Sequence, residues 1–332
     1  MNSRRRAVSC LLLAACAASV ASASEVAWPT SLAARAGLRP EDYLQPTVSG
    51  RPESAVFGMV REEGRRFHEG VDIRPSAHDS AGEALDLVRA AMDGEVAYAN
   101  AAVNGPYGRY VVLTHRNAEL PVYTLYAHLA TLAPGAKVGL FVSRGTTLGR
   151  MGRSSAGATP ITPDRAHLHF EVGLVLSKGF PRWYAAQPDN RGSRNLHGLF
   201  NGQNLIGMDP MPLLTQSRVD LLALHRSQPV AVTVALRASQ IPDFVRRHPM
   251  LVHGEPSGAA GWYVEFSWQG MPLSWKALEA GHPQLPPGRW KLLEIDPRRR
   301  EQLIHRQMLA ADGRSPGDLL RQNVEILLTP PH

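Results

Sequence analysis

The chain has 332 residues, 44% of them hydrophobic, with 36 Lys+Arg against 29 Asp+Glu and a formal net charge of +7. That length suits about two domains, and that composition suits a globular core rather than a disordered chain. Beyond residue 23 no apolar run approaches the roughly 20 residues a membrane-spanning helix needs, and no basic stripe with interleaved aromatics argues for nucleic acid.

The N-terminus reads as a targeting segment. Arg4, Arg5 and Arg6 precede an apolar run from Ala7 to Val20, and Ala21-Ser22-Ala23 fits a small-x-small cleavage site. Positive start, apolar centre and small-residue end are the parts of a secretory signal peptide. Residues 1–23 are therefore expected to be removed and the protein exported to the periplasm, cell envelope or medium. A competing reading takes Leu13-Ala14-Ala15-Cys16 as a lipobox, with a lipid anchor on Cys16. The run stays apolar past Cys16, which favours cleavage after Ala23. Three of the 36 Lys+Arg would leave with the segment, so the formal +7 falls to +4. That mild charge is compatible with an anionic wall as neighbour. The two cysteines, Cys10 and Cys16, also lie here. A mature chain without cysteine has no disulfide framework, and any metal site in it must use nitrogen and oxygen donors.

Residues 24–54 are polar, with Pro29, Pro40, Pro46 and Pro52, and read as a lead-in segment with a short helix over 31–36. From about Ala55 to Leu176, short β-type runs alternate with turns. Strands are expected over 54–60, 86–90, 94–99, 110–114, 122–128 and 167–174. Turn signals include Asp93-Gly94, Asn104-Gly105-Pro106, Pro134-Gly135 and Arg144-Gly145. Many short strands at regular spacing point to an antiparallel, sheet-rich domain. Residues 178–203 read as a loop containing Trp183, Tyr184 and Phe200, and Asp209-Pro210-Met211-Pro212 closes the unit near 214. Residues 215–332 read as a smaller α+β module. Strands are expected there over 230–236, 262–268, 290–295 and 324–328, and helices over 241–247 and 318–322. The sequence leaves that module's role open.

Three short motifs carry chemistry. In His167-Leu168-His169-Phe170-Glu171-Val172, strand alternation places Leu168, Phe170 and Val172 on one face and His167, His169 and Glu171 on the other. Two imidazoles two residues apart then sit about 7 Å apart at Cα, which suits a metal ligand beside a supporting or catalytic group. Taken alone, the hexapeptide is also compatible with a half-exposed strand. In Phe67-His68-Glu69-Gly70-Val71-Asp72-Ile73 a histidine precedes a carboxylate by four residues, and Gly70 lets the chain bend between them. Imidazole nitrogen and carboxylate oxygen both ligate zinc, though a surface turn before a strand would look similar. In Tyr123-Thr124-Leu125-Tyr126-Ala127-His128-Leu129, alternation groups Thr124, Tyr126 and His128 on one face. His115 reads as structural, His78 as a loop residue, and the remaining histidines have no partner at ligand spacing.

The order His-x-x-x-Asp, Tyr-Ala-His-Leu, His-Leu-His-Phe-Glu resembles the lysostaphin/LytM-type zinc metalloendopeptidases, which are peptidoglycan hydrolases. The connecting text is similar too: Val88-Arg89-Ala90, Asp93-Gly94-Glu95-Val96, Tyr107-Gly108, Gly135 with Val138, and Leu148-Gly149-Arg150-Met151-Gly152. The resemblance covers about 57–174. It implies a mainly β, duplicated hybrid motif-like catalytic domain over 55–214, followed by the smaller α+β module. It further implies one zinc per chain on His68, Asp72 and His169, with His128 and His167 as non-ligand catalytic histidines. His167 is the favoured base, and the two roles could be reversed. Glu171 is not a ligand in the family, so packing or a contact behind the ligands is expected of it. The linker 153–166 and the loop 178–203 depart from the family pattern and leave specificity open. The expected substrate is a peptide cross-link or stem peptide of peptidoglycan. The alternatives are a non-catalytic activator of another wall hydrolase, or a zinc endopeptidase acting on proteins.

Overall fold

The computed structural model of the chain describes residues 23–31, 39–116, 118–157, 160–190 and 193–331. Both cysteines, the expected signal segment up to residue 22 and most of the helix expected over 31–36 lie outside the described residues. Among the described residues no helix is long and apolar enough to cross a membrane.

A seven-stranded sheet forms the centre of the first part. Its order is Phe141–Val142, Gly94–Asn100, Tyr110–His115, Val122–Ala127 and Leu168–Val175, and the far edge of Leu168–Val175 is shared by Val71–Ile73 and Leu205–Met208. Every pairing in it is antiparallel. Leu168–Val175, the histidine strand, has neighbours on both edges, and nearly all of it is buried. Its register sets Phe170 opposite Tyr126 and Val172 opposite Thr124, while His169 faces Ala127 and Glu171 faces Leu125. Residues directly opposite in a ladder share a sheet face. One face, with Leu168, Phe170, Val172 and Tyr126, therefore packs into the main core. The other carries His169 and Glu171 above a small apolar cluster of Tyr110, Val112, Tyr123, Leu125, Ala127 and Leu205. This antiparallel, strand-rich body is the fold class expected from the turn spacing.

Local differences from the sequence expectations have simple causes. The run 54–60 begins as a 3-10 turn, Pro52–Ala55, because Pro52 presets the turn's dihedrals, and the strand starts only at Gly58. The loop 178–203 contains a helix, Phe180–Ala186, that buries Phe180 and Trp183. The strand expected over 324–328 is instead the second half of a helix, Asp318–Leu328. Leu320, Val324 and Leu327 are buried at helical spacing, and a five-residue apolar run is too short to reveal its period.

That helix belongs to the C-terminal α+β part. There a five-stranded sheet runs Val252–His253, Pro272–Leu278, Gly261–Ser267, Val230–Arg237, Trp290–Ile295. One continuous hydrophobic core includes both Phe170 of the first sheet and Phe266 and Leu327 of the C-terminal part. The lead-in residues are packed as well: Val26 and Leu44 are buried, and the Gln45 N–H donates to the Asp72 carbonyl at 2.9 Å.

Candidate metal centre

The centre is built where two segments cross. The hairpin strand Arg66–His68 pairs with Gly58–Arg61, and two residues later Val71–Ile73 joins the edge of the histidine strand. Gly70 makes the crossing possible. A Cβ there would lie 2.2 Å from the Phe170 carbonyl oxygen, so any side chain would push the strand off its partner. The resulting register sets Asp72 directly opposite His169, and His68 reaches the same point from the hairpin.

Three donor atoms converge there. His68 Nε2 lies 3.1 Å from His169 Nδ1 and 3.1 Å from Asp72 Oδ1, and His169 Nδ1 lies 3.0 Å from Asp72 Oδ1. The second polar atom of each residue is committed elsewhere. His68 Nδ1 donates to the Val56 carbonyl at 2.8 Å. His169 Nε2 donates to Glu171 Oε1 at 2.9 Å. Asp72 Oδ2 accepts from the Arg61 guanidinium. A neutral imidazole with its proton on the outer nitrogen presents a lone pair on the inner one. Two such lone pairs and a carboxylate oxygen repel at this distance unless a proton or a metal cation sits among them. All-nitrogen-and-oxygen donors of this kind suit zinc, so the residues present fit the ion that the motif order implied.

The surrounding charges point the same way. Burial opposes ionisation of Asp72, but the charges of His68 and His167 and hydrogen bonds from His169 and His68 hold its carboxyl well below the usual range. Burial likewise opposes a charged His169, yet hydrogen bonds to Asp72 and Glu171 hold it up to about 9. The site is a buried pocket of negative potential that favours positive charge.

His167 and His128 stand beside the three donors. His167 Nδ1 donates to the Arg165 carbonyl at 2.7 Å, and its Nε2 lies 3.6 Å from Asp72 Oδ1. His128 Nδ1 donates to the Ser154 carbonyl at 2.9 Å. Its ring packs edge-on against His167, with centroids 4.8 Å apart. Simple alternation had placed His128 on the face of Thr124 and Tyr126. That face is the core side, where Tyr126 packs on Phe170 at 5.3 Å. The strand ends at Ala127, and His128 takes a left-handed φ of 60° that rotates its ring to the metal side. Left-handed backbone in a residue other than glycine is uncommon and concentrates at functional sites.

Residues 66–178 match the sequence profile of Peptidase family M23. That matched segment makes up about a third of the chain. No protein of curated function matches it. Among solved structures, it is similar to the catalytic domain of the antimicrobial peptidase lysostaphin from Staphylococcus simulans, at 20% identity over 49% of this chain and 88% of that one, with a TM-score of 0.29. It is similar to a putative glycyl-glycine endopeptidase LytM from Ruminococcus gnavus, at 21% identity over 59% of this chain and 62% of that one, with a TM-score of 0.34. It is also similar to a zinc containing peptidase from Vibrio cholerae, at 24% identity over 45% of this chain and 36% of that one, with a TM-score of 0.29. The match thus spans less than two thirds of the latter two. The likeness to the family therefore rests on residues 66–178 alone.

Within the M23 segment, His68, Asp72 and His169 form the one group among the described residues whose donor atoms could together hold a metal, all within 4.8 Å of one another. Behind them stand Glu171, of which packing or a contact behind the ligands was expected, and Arg61, which the motif reading did not single out. Glu171 is buried and accepts from Tyr107 Oη at 2.6 Å, Tyr123 Oη at 2.9 Å and His169 Nε2. A carboxylate behind a ligating imidazole fixes its tautomer and its direction. Arg61 does the equivalent for Asp72, while its Nε donates to the Ser54 carbonyl at 3.2 Å. The position of Glu171 on the histidine face hinted at its contact. Arg61 carried no signal, because only the hairpin brings it back to Asp72. Of the other histidines, His115 is buried and donates from Nδ1 to the Asp93 carbonyl at 2.8 Å, and His78 is exposed.

Proposed function

We propose that the protein is an exported, zinc-dependent endopeptidase that hydrolyses peptide cross-links or stem peptides of bacterial peptidoglycan. The observation that carries this reading is the convergence of His68 Nε2, Asp72 Oδ1 and His169 Nδ1, with their outer atoms already engaged, inside an M23 segment. On this reading 55–214 is the catalytic domain, 215–332 a C-terminal module, and His68, Asp72 and His169 are the ligands of one zinc. Three protein ligands leave a position for water and substrate, the mark of a catalytic rather than a closed site.

When bound, zinc supplies Lewis acidity toward the scissile carbonyl and makes water acidic enough to be a nucleophile near neutral pH. His128 and His167 supply the proton chemistry. Burial lowers both pKa values, with neighbouring histidines adding to the effect at His128, so both rings are neutral at pH 7. With each Nδ1 proton given to a backbone carbonyl, each Nε2 is a base. His167 is the better placed of the two. Its Nε2 lies near Asp72, whose negative charge stabilises the imidazolium formed when His167 accepts a proton. That proton then passes to the leaving amine. His128, against the ring of His167, orients the attacking water and contributes to stabilising the oxyanion.

Peptidoglycan as substrate is supported by the signal-like N-terminus and by the motif order. The complete donor set weighs against a purely activating role. The test is to purify the chain from Ser24 onward, measure its bound zinc, and incubate it with isolated peptidoglycan and, separately, with a denatured protein. The expected result is about one zinc per chain and new muropeptide termini, with His167→Ala releasing none and Asp72→Ala losing the metal. If His167→Ala released the same fragments, the catalytic assignment would be wrong. Cleavage of the protein but not of the wall would overturn the substrate.

A further inference from the structure

The role of the C-terminal part is open, and the contacts it makes with the metal strands are specific. Phe67 immediately precedes His68, and the two side chains leave opposite faces of a short strand. The Phe67 ring is enclosed from several sides. Phe57 meets it edge-on at 5.1 Å. Trp268, from the C-terminal part, meets it at 5.6 Å with the ring planes at 69°. The Arg306 guanidinium carbon, also C-terminal, lies 3.7 Å above the ring centroid. Gly58, the partner of His68 in the hairpin, has φ 116°, and even a Cβ there would come within 3.6 Å of Trp268. Arg306 is half-buried, and burial draws its pKa down to about 10, with Glu69 acting in the opposite sense.

A second grip falls on the histidine strand. Arg247 Nη2 donates to the carbonyls of Val175 and Leu176, each at 2.9 Å, where the strand ends. Its Nε bonds Asp243 Oδ2 at 2.7 Å, and that same oxygen accepts the Lys178 N–H at 2.9 Å. The C-terminal part therefore grips both segments that present metal donors, although His68 and His169 are 101 residues apart in sequence.

We infer that the C-terminal unit is a scaffold of the metal centre, with Trp268 and Arg306 as positioning residues that act on His68 through Phe67. Locking the Phe67 ring sets the pitch of a three-residue strand, and that pitch sets the direction of the His68 imidazole. Without the clamp the strand has only its hairpin partner on one side. The C-terminal unit is then an integral support of the metal site, not a detachable wall-binding attachment. The inference rests on the zinc-site reading above.

The test uses the full mature chain. Metal affinity is measured by competition with a chelator, and site geometry by the visible absorption of the cobalt(II)-substituted protein. Trp268→Ala and Arg306→Met are expected to weaken metal binding about tenfold, as loss of a partner behind a ligand does, and to alter the cobalt bands. Trp268→Phe should restore both. Trp262→Phe serves as control: Trp262 meets Trp275 edge-on at 6.0 Å inside the same unit. It should lower the denaturation midpoint and leave affinity and spectrum unchanged. Should Trp268→Ala not fold, Arg306→Met against Trp262→Phe decides alone. Clamp variants that bind metal with unchanged affinity and spectrum overturn the inference while leaving the zinc reading intact. So does a control that weakens the metal as much as they do. A full chain that takes up no metal sinks both.

Discussion

His128 and His167 lie edge to face with ring centroids 4.8 Å apart, although one follows the strand Val122–Ala127 and the other precedes Leu168–Val175. The pairing depends on the left-handed φ of 60° at His128, without which its ring would turn toward Tyr126 and the core. Because neither ring touches the donor triad through a hydrogen bond, removing either should separate catalysis from metal binding. His167→Ala and His128→Ala are each expected to lower kcat by roughly 10²–10⁴-fold, the range for a lost acid–base group, with bound zinc unchanged. Turnover of a defined muropeptide beside metal analysis checks this. Loss of zinc from either variant would make that histidine a ligand.

Glu171 should matter through His169. Glu171→Gln keeps the shape but loses the charge that draws the Nε2 proton outward. Metal affinity is expected to fall about 10–100-fold. Tyr123→Phe, which removes a single hydrogen bond to Glu171, should cost less. Chelator competition on both variants gives the ranking, and the reverse order would show that the carboxylate does not orient the ligand.

Arg61 spans two acceptors, the Asp72 carboxylate and the Ser54 carbonyl. A lysine supplies charge but not the fork that reaches both. Arg61→Lys is therefore expected to behave like Arg61→Met, with weaker metal binding in each. Equal affinity in Arg61→Lys and the unchanged chain would reduce the role of Arg61 to charge.

Gly70→Ala tests the crossing itself. Its Cβ would fall 2.2 Å from a backbone oxygen that cannot swing aside. A cost of about 2–3 kcal/mol in stability is expected, at the upper end for overpacking, together with lost metal, because the strand must move and carries Asp72 with it. Urea denaturation of the metal-free variant reads the first effect and zinc content the second.

Stability should fall on mild acidification for a reason remote from the metal. Burial lowers the pKa of His225 to about 4 and of His248 to about 3. Unfolded, each takes up a proton near pH 6.5; folded, neither does until far lower. The unfolded state thus binds more protons between about pH 6.5 and 4, and stability declines across that window by about 1.4 kcal/mol per pH unit for each histidine. Above pH 6.5 these groups contribute no slope. Denaturant midpoints at pH 7.5, 6 and 5 should show a shallower decline in His248→Leu than in the unchanged chain. Parallel declines would mean that His248 is protonated in the fold.

Much of the centre was legible because it is local. Period-two alternation separates His167, His169 and Glu171 from Leu168, Phe170 and Val172, and the ladder preserves that division for the strand residues from His169 on. The same rule failed at His128, since a single left-handed residue reverses a side chain and leaves no compositional trace. It failed again over 324–328, where a short apolar run fits either period and packing against the C-terminal core selected a helix.

The sequence by itself determined the donor types, their order and the strand faces that expose them, because these follow from residue chemistry and nearest-neighbour geometry. Only the tertiary structure decided that His68 Nε2, Asp72 Oδ1 and His169 Nδ1 meet, that Arg61 and Glu171 stand behind them, and that Trp268 and Arg306 close on Phe67. The meeting of His169 with His68 and Asp72, and of Phe67 with Trp268 and Arg306, joins positions far apart in the chain. These relationships depend on register and on the close backbone crossing at Gly70, for which no short-range pattern in the sequence is a proxy.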